Sequence, residues 1–143
     1  MTKQTDAIAL IGRVLIGVLF LMAGLSKLGA PAATQAYIGA VGLPAPIAAY
    51  GVALVVELIG SVLLIVGFQV RIVAAVLAVF TLVTALFFHN NFADQNQMIH
   101  FLKNVAILGG LLQVVAFGAG KLSLDNRFGR LGVLSNAALT AAK

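Results

Sequence analysis

The chain has 143 residues, 62% of them hydrophobic and 9% charged, with a formal charge of +5 and no cysteine, and a mean hydropathy of +1.10. A soluble domain is about half apolar and about one quarter charged, and one of about 150 residues leaves roughly 30% of its unfolded-chain surface wet, so this chain must be solvated by lipid. The missing cysteine excludes disulfides, thiolate nucleophiles, iron–sulfur clusters and Cys-ligated zinc, and the length suits one membrane domain.

The first apolar stretch runs from Ala7 to Leu28, is interrupted by Arg13 and ends at Lys27, which meets the roughly 20 residues needed to cross a bilayer. Lys3 ahead of an apolar run also allows a signal peptide, but Arg13 breaks the would-be apolar core and the run is too long. The next segment, Ala30 to Pro46, is neither a span nor strongly polar. Pro31 suits a first helical position, Gly42 a stop and Tyr37 headgroup depth, so a short interfacial helix is expected there, as a lid over the bundle.

The second span, Ile47 to Phe68, holds one charge, Glu57, and the third, Ile72 to Phe88, holds none. His89 to His100 is the most polar stretch, and Asp94 followed by Gln97 resembles a capping box that starts a helix near Asp94. The fourth span, Phe101 to Phe117, carries Lys103 and Gln113 and ends at Gly118 and Gly120. The expected architecture is all-α, an antiparallel bundle of four transmembrane helices with both termini on one side.

That side is read as cytoplasmic, because Lys3, Arg13, Arg71, Lys121, Arg127, Arg130 and Lys143 lie there, against only Lys27 and Lys103 on the other. In the basic tail, residues 121–143, Arg127 and Arg130 with Leu131, Val133 and Leu134 suit either an anionic inner leaflet or plain solvent. No basic patch is interleaved with aromatics, so no nucleic-acid partner is expected.

Polar and small residues mark the faces turned toward protein, because lipid offers no hydrogen bonds and small residues let helices approach. Helical spacing puts Arg13, Gly17, Phe20, Gly24 and Lys27 on one stripe, and Ala53, Glu57, Gly60, Ser61, Leu64 and Gly67 on another. The third span offers Ala74, Ala78, Thr81, Ala85 and His89, and the fourth Lys103, Ala106, Gly110, Gln113 and Phe117.

Glu57, near the bilayer midplane, costs on the order of 2.5 to 3.5 kcal/mol to insert unless something offsets it. Arg13, roughly 7 to 8 Å from the midplane at 1.5 Å per residue, is the expected partner, with Lys27, His89 and Lys103 clustered toward the outer end. The alternative is that Arg13 and Lys27 snorkel to their nearer interfaces and Glu57 is protonated. His89 and His100 bracket one loop instead of facing each other across the bundle, which argues against haem. His89 suits proton exchange beside a quinone or, more simply, headgroup depth. Gly118, Gly120 and Lys121 do not make a phosphate loop, since Val115 and Leu122 stand at its other required positions. No Ser-His-Asp set, carboxylate pair, dinucleotide fingerprint or metal cluster can be assembled.

These residues resemble the DoxX family of small bacterial membrane proteins over nearly the whole chain. The matching motifs, in order, are GRVLIGVLFLMAGLSKLG, GAVGLPAP, ELIGSVLLIVGFQVRIVAAVLAVF and GAGKLSLD. The resemblance puts Arg13, Gly24, Lys27, Glu57, Gly60, Gly67 and Arg71 on the family's motif positions and implies a four-helix inner-membrane protein. Family members associated with thiosulfate:quinone oxidoreduction and with quinone, catechol or oxidative stress imply a membrane subunit acting at the quinone pool. With no flavin, haem or nicotinamide motif and no covalent cofactor expected, electrons would come from a soluble partner.

Three functions follow as expectations. In a quinone-interacting subunit, Glu57, Arg13 and His89 do the chemistry and Lys27, Gly24, Gly60, Lys103 and Gln113 hold the ring. In a non-enzymatic scaffold or assembly factor, Arg71 and the basic tail recruit soluble redox proteins. In a small permease, Glu57 carries protons. Glycines on the stripes also suit a homodimer.

Overall fold

The structure is a computed structural model that describes residues 3–129. Arg130, Leu131, Val133, Leu134 and Lys143, which the tail reading also uses, lie outside the described residues. Among those described, all regular structure is helical: α1 (Lys3–Gly29), α2 (Pro31–Ala40), α3 (Pro46–Val66), α4 (Val70–Phe88) and α5 (Gln95–Phe117), followed by helical residues 124–129. All but α2 are long and apolar enough to cross a membrane. The 27 residues of α1 rise about 40 Å, more than the roughly 30 Å of hydrocarbon, and the 19 of α4 about 28 Å.

Helix ends follow the local chemistry. Pro31 opens α2, where a missing N–H costs nothing. Gly42, at φ +81°, makes the turn that ends it. Asp94 caps α5, its carboxylate accepting from the backbone N–H of Asn96 at 2.8 Å and of Gln97 at 3.4 Å. The expected capping box forms only by half, because the Gln97 side chain turns to His89 instead. α4 has no local cap. Asp125, 55 residues away, accepts from the N–H groups of Gln69 and Val70 at 2.7 and 2.9 Å.

The helices associate as two pairs, α1 with α3 and α4 with α5. Gly17 and Gly24 put the α1 backbone against Ile65 and Leu58 of α3, positions where a Cβ would collide. Between the pairs, Phe20, Leu64, Leu77 and Leu111 fill the core, which occupies the half of the bundle nearer the termini. The stripes expected on α1, α3 and α4 face inward: Arg13, Gly17, Phe20, Gly24, Glu57, Ser61, Leu64, Thr81 and Ala85 are all buried.

α5 corrects its expected stripe. Ala106, Gln113 and Phe117 face away from the bundle, and Leu111, Ile107, Leu108 and Val114 face in. The reason is packing: the facing wall of α4 is built from Ala74, Ala78 and Leu77, and branched aliphatic chains fill that space. A polar Gln113 there would have no partner. Gly110 and Lys103 keep the inward side expected of them: the Gly110 Cβ would lie 3.2 Å from Ile16 of α1, and Lys103 lines the cavity described below.

Candidate functional site: a charged cavity at the far end of the bundle

The half of the bundle away from the termini is hollow. A cavity of about 650 Å³ lies near the termini end beside Lys121 and Arg127, but the cavity that holds Glu57 and both histidines is at the opposite end and measures about 630 Å³. Its walls are Phe20, Ile38, Phe80 and Ile107, and its polar lining includes Lys27, Glu57, His89, His100, Lys103 and Asn104. α2 contributes Thr34, Tyr37 and Ile38, and the Tyr37 ring packs 5.3 Å from Phe88 at the end of α4. The volume falls within the roughly 300 to 1,000 Å³ of small-molecule sites, and apolar walls with a few convergent polar groups are their usual make-up.

At the base of the cavity Lys27 Nζ donates to both Glu57 oxygens at 2.8 Å. The Glu57 side chain is 5% exposed and that of Lys27 29%, so the carboxylate is enclosed and the ammonium faces the cavity. Two of the three ammonium protons point at Glu57, which leaves one N–H for another acceptor. Tyr50 donates to the Lys27 carbonyl at 3.2 Å, tying α3 to the end of α1. Glu57 lies at the centre of a π-helical turn, Val55–Ile59. Such single wide turns inside α-helices recur at functional sites, where the extra residue re-aims a side chain.

At the mouth, the His89 and His100 rings stack with centroids 5.1 Å apart and an interplanar angle of 21°. His89 Nδ1 donates to Gln97 Oε1 at 3.0 Å, and both histidines line the cavity. Stacked rings on one rim cannot bind a single haem iron from opposite faces.

The structure thus brings together Glu57, Lys27, His89 and Lys103 of the sequence-predicted set, and holds Gly24 against Leu58 and the Glu57 Cβ. Gly60 packs toward Leu77 outside the cavity, and Gln113 lies on the outer face of α5.

The expected Arg13–Glu57 pair does not form. Gly24 is the residue level with Glu57 in the antiparallel packing of α1 on α3, and Arg13 is 11 positions further along, about 16 Å. The estimate of half that distance assumed the two spans were level at their middles, whereas α1 is offset along α3 so that Gly24 faces Glu57 and Gly17 faces Ser61 and Ile65. Lys27, one turn from Gly24, is within reach.

Arg13, 1% exposed, locks the termini end instead. Its Nη1 donates to the carbonyls of Leu64 at 3.0 Å and Ile65 at 3.4 Å, and its Nη2 to that of Leu122 at 2.6 Å. These include carbonyls of the last turn of α3, which no intrahelical N–H can reach and which favour a cation. Gly67, at φ +77°, completes this end, since a Cβ there would strike Arg13 and Ser123. Asp6, buried on α1, accepts from the Lys121 N–H at 3.2 Å. Sequence reasoning missed Asp6 and Asp125. Their only signals were an acid just ahead of the first apolar run and the aspartate that closes GAGKLSLD.

Comparison with known proteins agrees with this architecture. The DoxX family model matches residues 8–90. The chain is 37% identical over 125 residues to the inner membrane protein YqjF of Escherichia coli K12, an alignment covering 87% of this chain and 95% of that protein. It is 33% identical over 123 residues to the inner membrane protein YphA of the same organism, covering 82% and 88%. No solved structure matches. With four helices fit to span a bilayer, a matching family model and inner-membrane relatives aligned along most of its length, the chain belongs to the DoxX family and is a multi-pass protein of the bacterial inner membrane.

Proposed function

We propose that this protein is a quinone-interacting membrane subunit of a redox or oxidative-stress system, with the ring held in the far-end cavity. The observation that carries this reading is the enclosed Lys27–Glu57 pair at the base of an apolar-walled space within the membrane. An intramembrane ion pair is costly to keep and usually functional, and a quinone suits the site because it is a flat apolar ring with two oxygens that accept hydrogen bonds. Lys27 keeps one N–H for such an oxygen, and Glu57 and His89 are the groups that exchange protons with it. Reducing a quinone to a quinol takes two protons and two electrons, and in this reading a soluble partner supplies the electrons. Arg13 has no part in this chemistry, because its guanidinium is spent on backbone carbonyls at the other end.

The test is gentle purification in native lipid followed by mass spectrometry of everything retained, comparing wild type with Glu57→Gln. A quinone present in wild type and lost from the variant is the expected result. A soluble protein retained equally in both, with no quinone in either, overturns it in favour of a membrane anchor. That second reading has its own support at the termini end, where the exposed Arg71 and the 118–126 segment line a separate cleft of about 450 Å³.

A further inference from the structure

Charge in the cavity is not balanced. Lys27 and Glu57 neutralise each other. Lys103 lines the same cavity, and the ion pairs among the described residues are Lys27–Glu57 and Lys121–Asp6, neither of which involves it. Asp94, which begins the same helix, spends its carboxylate on the backbone N–H groups of Asn96 and Gln97. His100, Lys103, Asn104 and Ile107 all line the cavity at the i, i+3, i+4, i+7 spacing of one helix face. That face therefore presents an ammonium and an amide donor beside the stacked histidines, with an apolar residue one turn deeper.

Lys103 is exposed at the rim, yet a cation beside an apolar-walled space attracts an anion more strongly than it would in bulk water. We infer that the cavity selects ring compounds carrying an anionic oxygen, such as an ionised hydroxyquinone or phenolate, with Lys103 as the counter-ion and the ring against Phe20 and Phe80. The inference rests on the quinone reading and narrows it from quinones in general to acidic ones. A phospholipid headgroup offers the same anionic oxygen, so the test must tell the two apart.

The experiment measures binding of two probes to the full chain in phosphatidylcholine nanodiscs. One is 1,4-naphthoquinone, which is neutral. The other is 2-hydroxy-1,4-naphthoquinone, whose ring hydroxyl is a vinylogous acid ionised at pH 7. The quantity read is the affinity ratio of the two probes in each protein, compared between proteins, so that partition into lipid cancels. Wild type is expected to favour the hydroxylated probe at least about tenfold more than Lys103→Gln does, which corresponds to about 1.4 kcal/mol. Lys103→Arg should keep the preference.

An equal ratio in wild type and Lys103→Gln, with both probes still bound, overturns the inference and leaves the quinone reading standing. Failure of wild type to bind either probe overturns both. The measurement is repeated with phosphatidylglycerol added. Retained preference for the hydroxylated probe supports the ring anion, and its loss identifies the headgroup as the occupant and overturns the proposal.

Discussion

Glu57 shows how a single residue becomes informative in lipid. A carboxylate at mid-span calls for a cationic partner or a proton, and that much was legible from the sequence, but whether a cation answers, and which one, depends on a register of a few ångströms. Lys27 answers, at 2.8 Å to both oxygens, while Arg13 closes the termini end. The two cations are therefore expected to behave differently on substitution. Lys27→Met leaves an enclosed carboxylate without its partner and should destabilise the protein by about 3 to 5 kcal/mol, whereas Lys27→Met combined with Glu57→Met should recover most of that loss. Reversible unfolding in mixed micelles checks this, and a double variant no more stable than the single one would show that the two side chains are not coupled.

Among the elements, α1, α3 and α4 turned the expected faces inward and α5 did not. On the first three helices the small and polar residues fall on one stripe, so the rule that such residues seek protein has a single solution. From Val105 to Phe117, α5 sets Gly109, Gly110 and Gln113 among positions that are otherwise all apolar, and periodicity there does not distinguish the face that packs from the face that meets lipid. The neighbouring helix decides it, since Leu111 is fully buried against the aliphatic wall of α4. Gln113→Leu should therefore leave stability within about 0.5 kcal/mol of wild type, as substitutions away from packed features do, and should leave quinone retention unchanged. A clear loss of bound quinone would return Gln113 to the site. The Asp125 cap was out of reach of sequence reasoning for a different reason, because the helix end it satisfies lies 55 residues away.

Over the whole molecule, the bundle divides into a solid half and a hollow half. Arg13, Gly67, Asp125 and the buried Asp6 tie the α1 start, the α3–α4 turn and the segment after α5 into one plate, and the aliphatic core stands on it. At the other end α2 and the His89–His100 stack surround the cavity. The excess of lysine and arginine on the termini side predicts that the plate faces the cytoplasm and the cavity mouth faces outward. Because the chain contains no cysteine, single substitutions report this cleanly. In intact cells Ala93→Cys should react with an impermeant maleimide and Arg127→Cys only after lysis, and the reverse pattern would invert the topology. Composition and hydropathy determined the lipid solvent and the four spans, the placing of Pro31, Gly42 and Tyr37 gave the short helix between the first two, and the cost of charge in hydrocarbon marked Glu57 as needing a cation or a proton, because all of these depend on local sequence. Which cation pairs with Glu57, which face of α5 packs, what caps α4 and where the bundle is hollow were decided only by the tertiary structure, because each depends on how far one helix slides or turns against another, and an apolar sequence does not encode that offset locally.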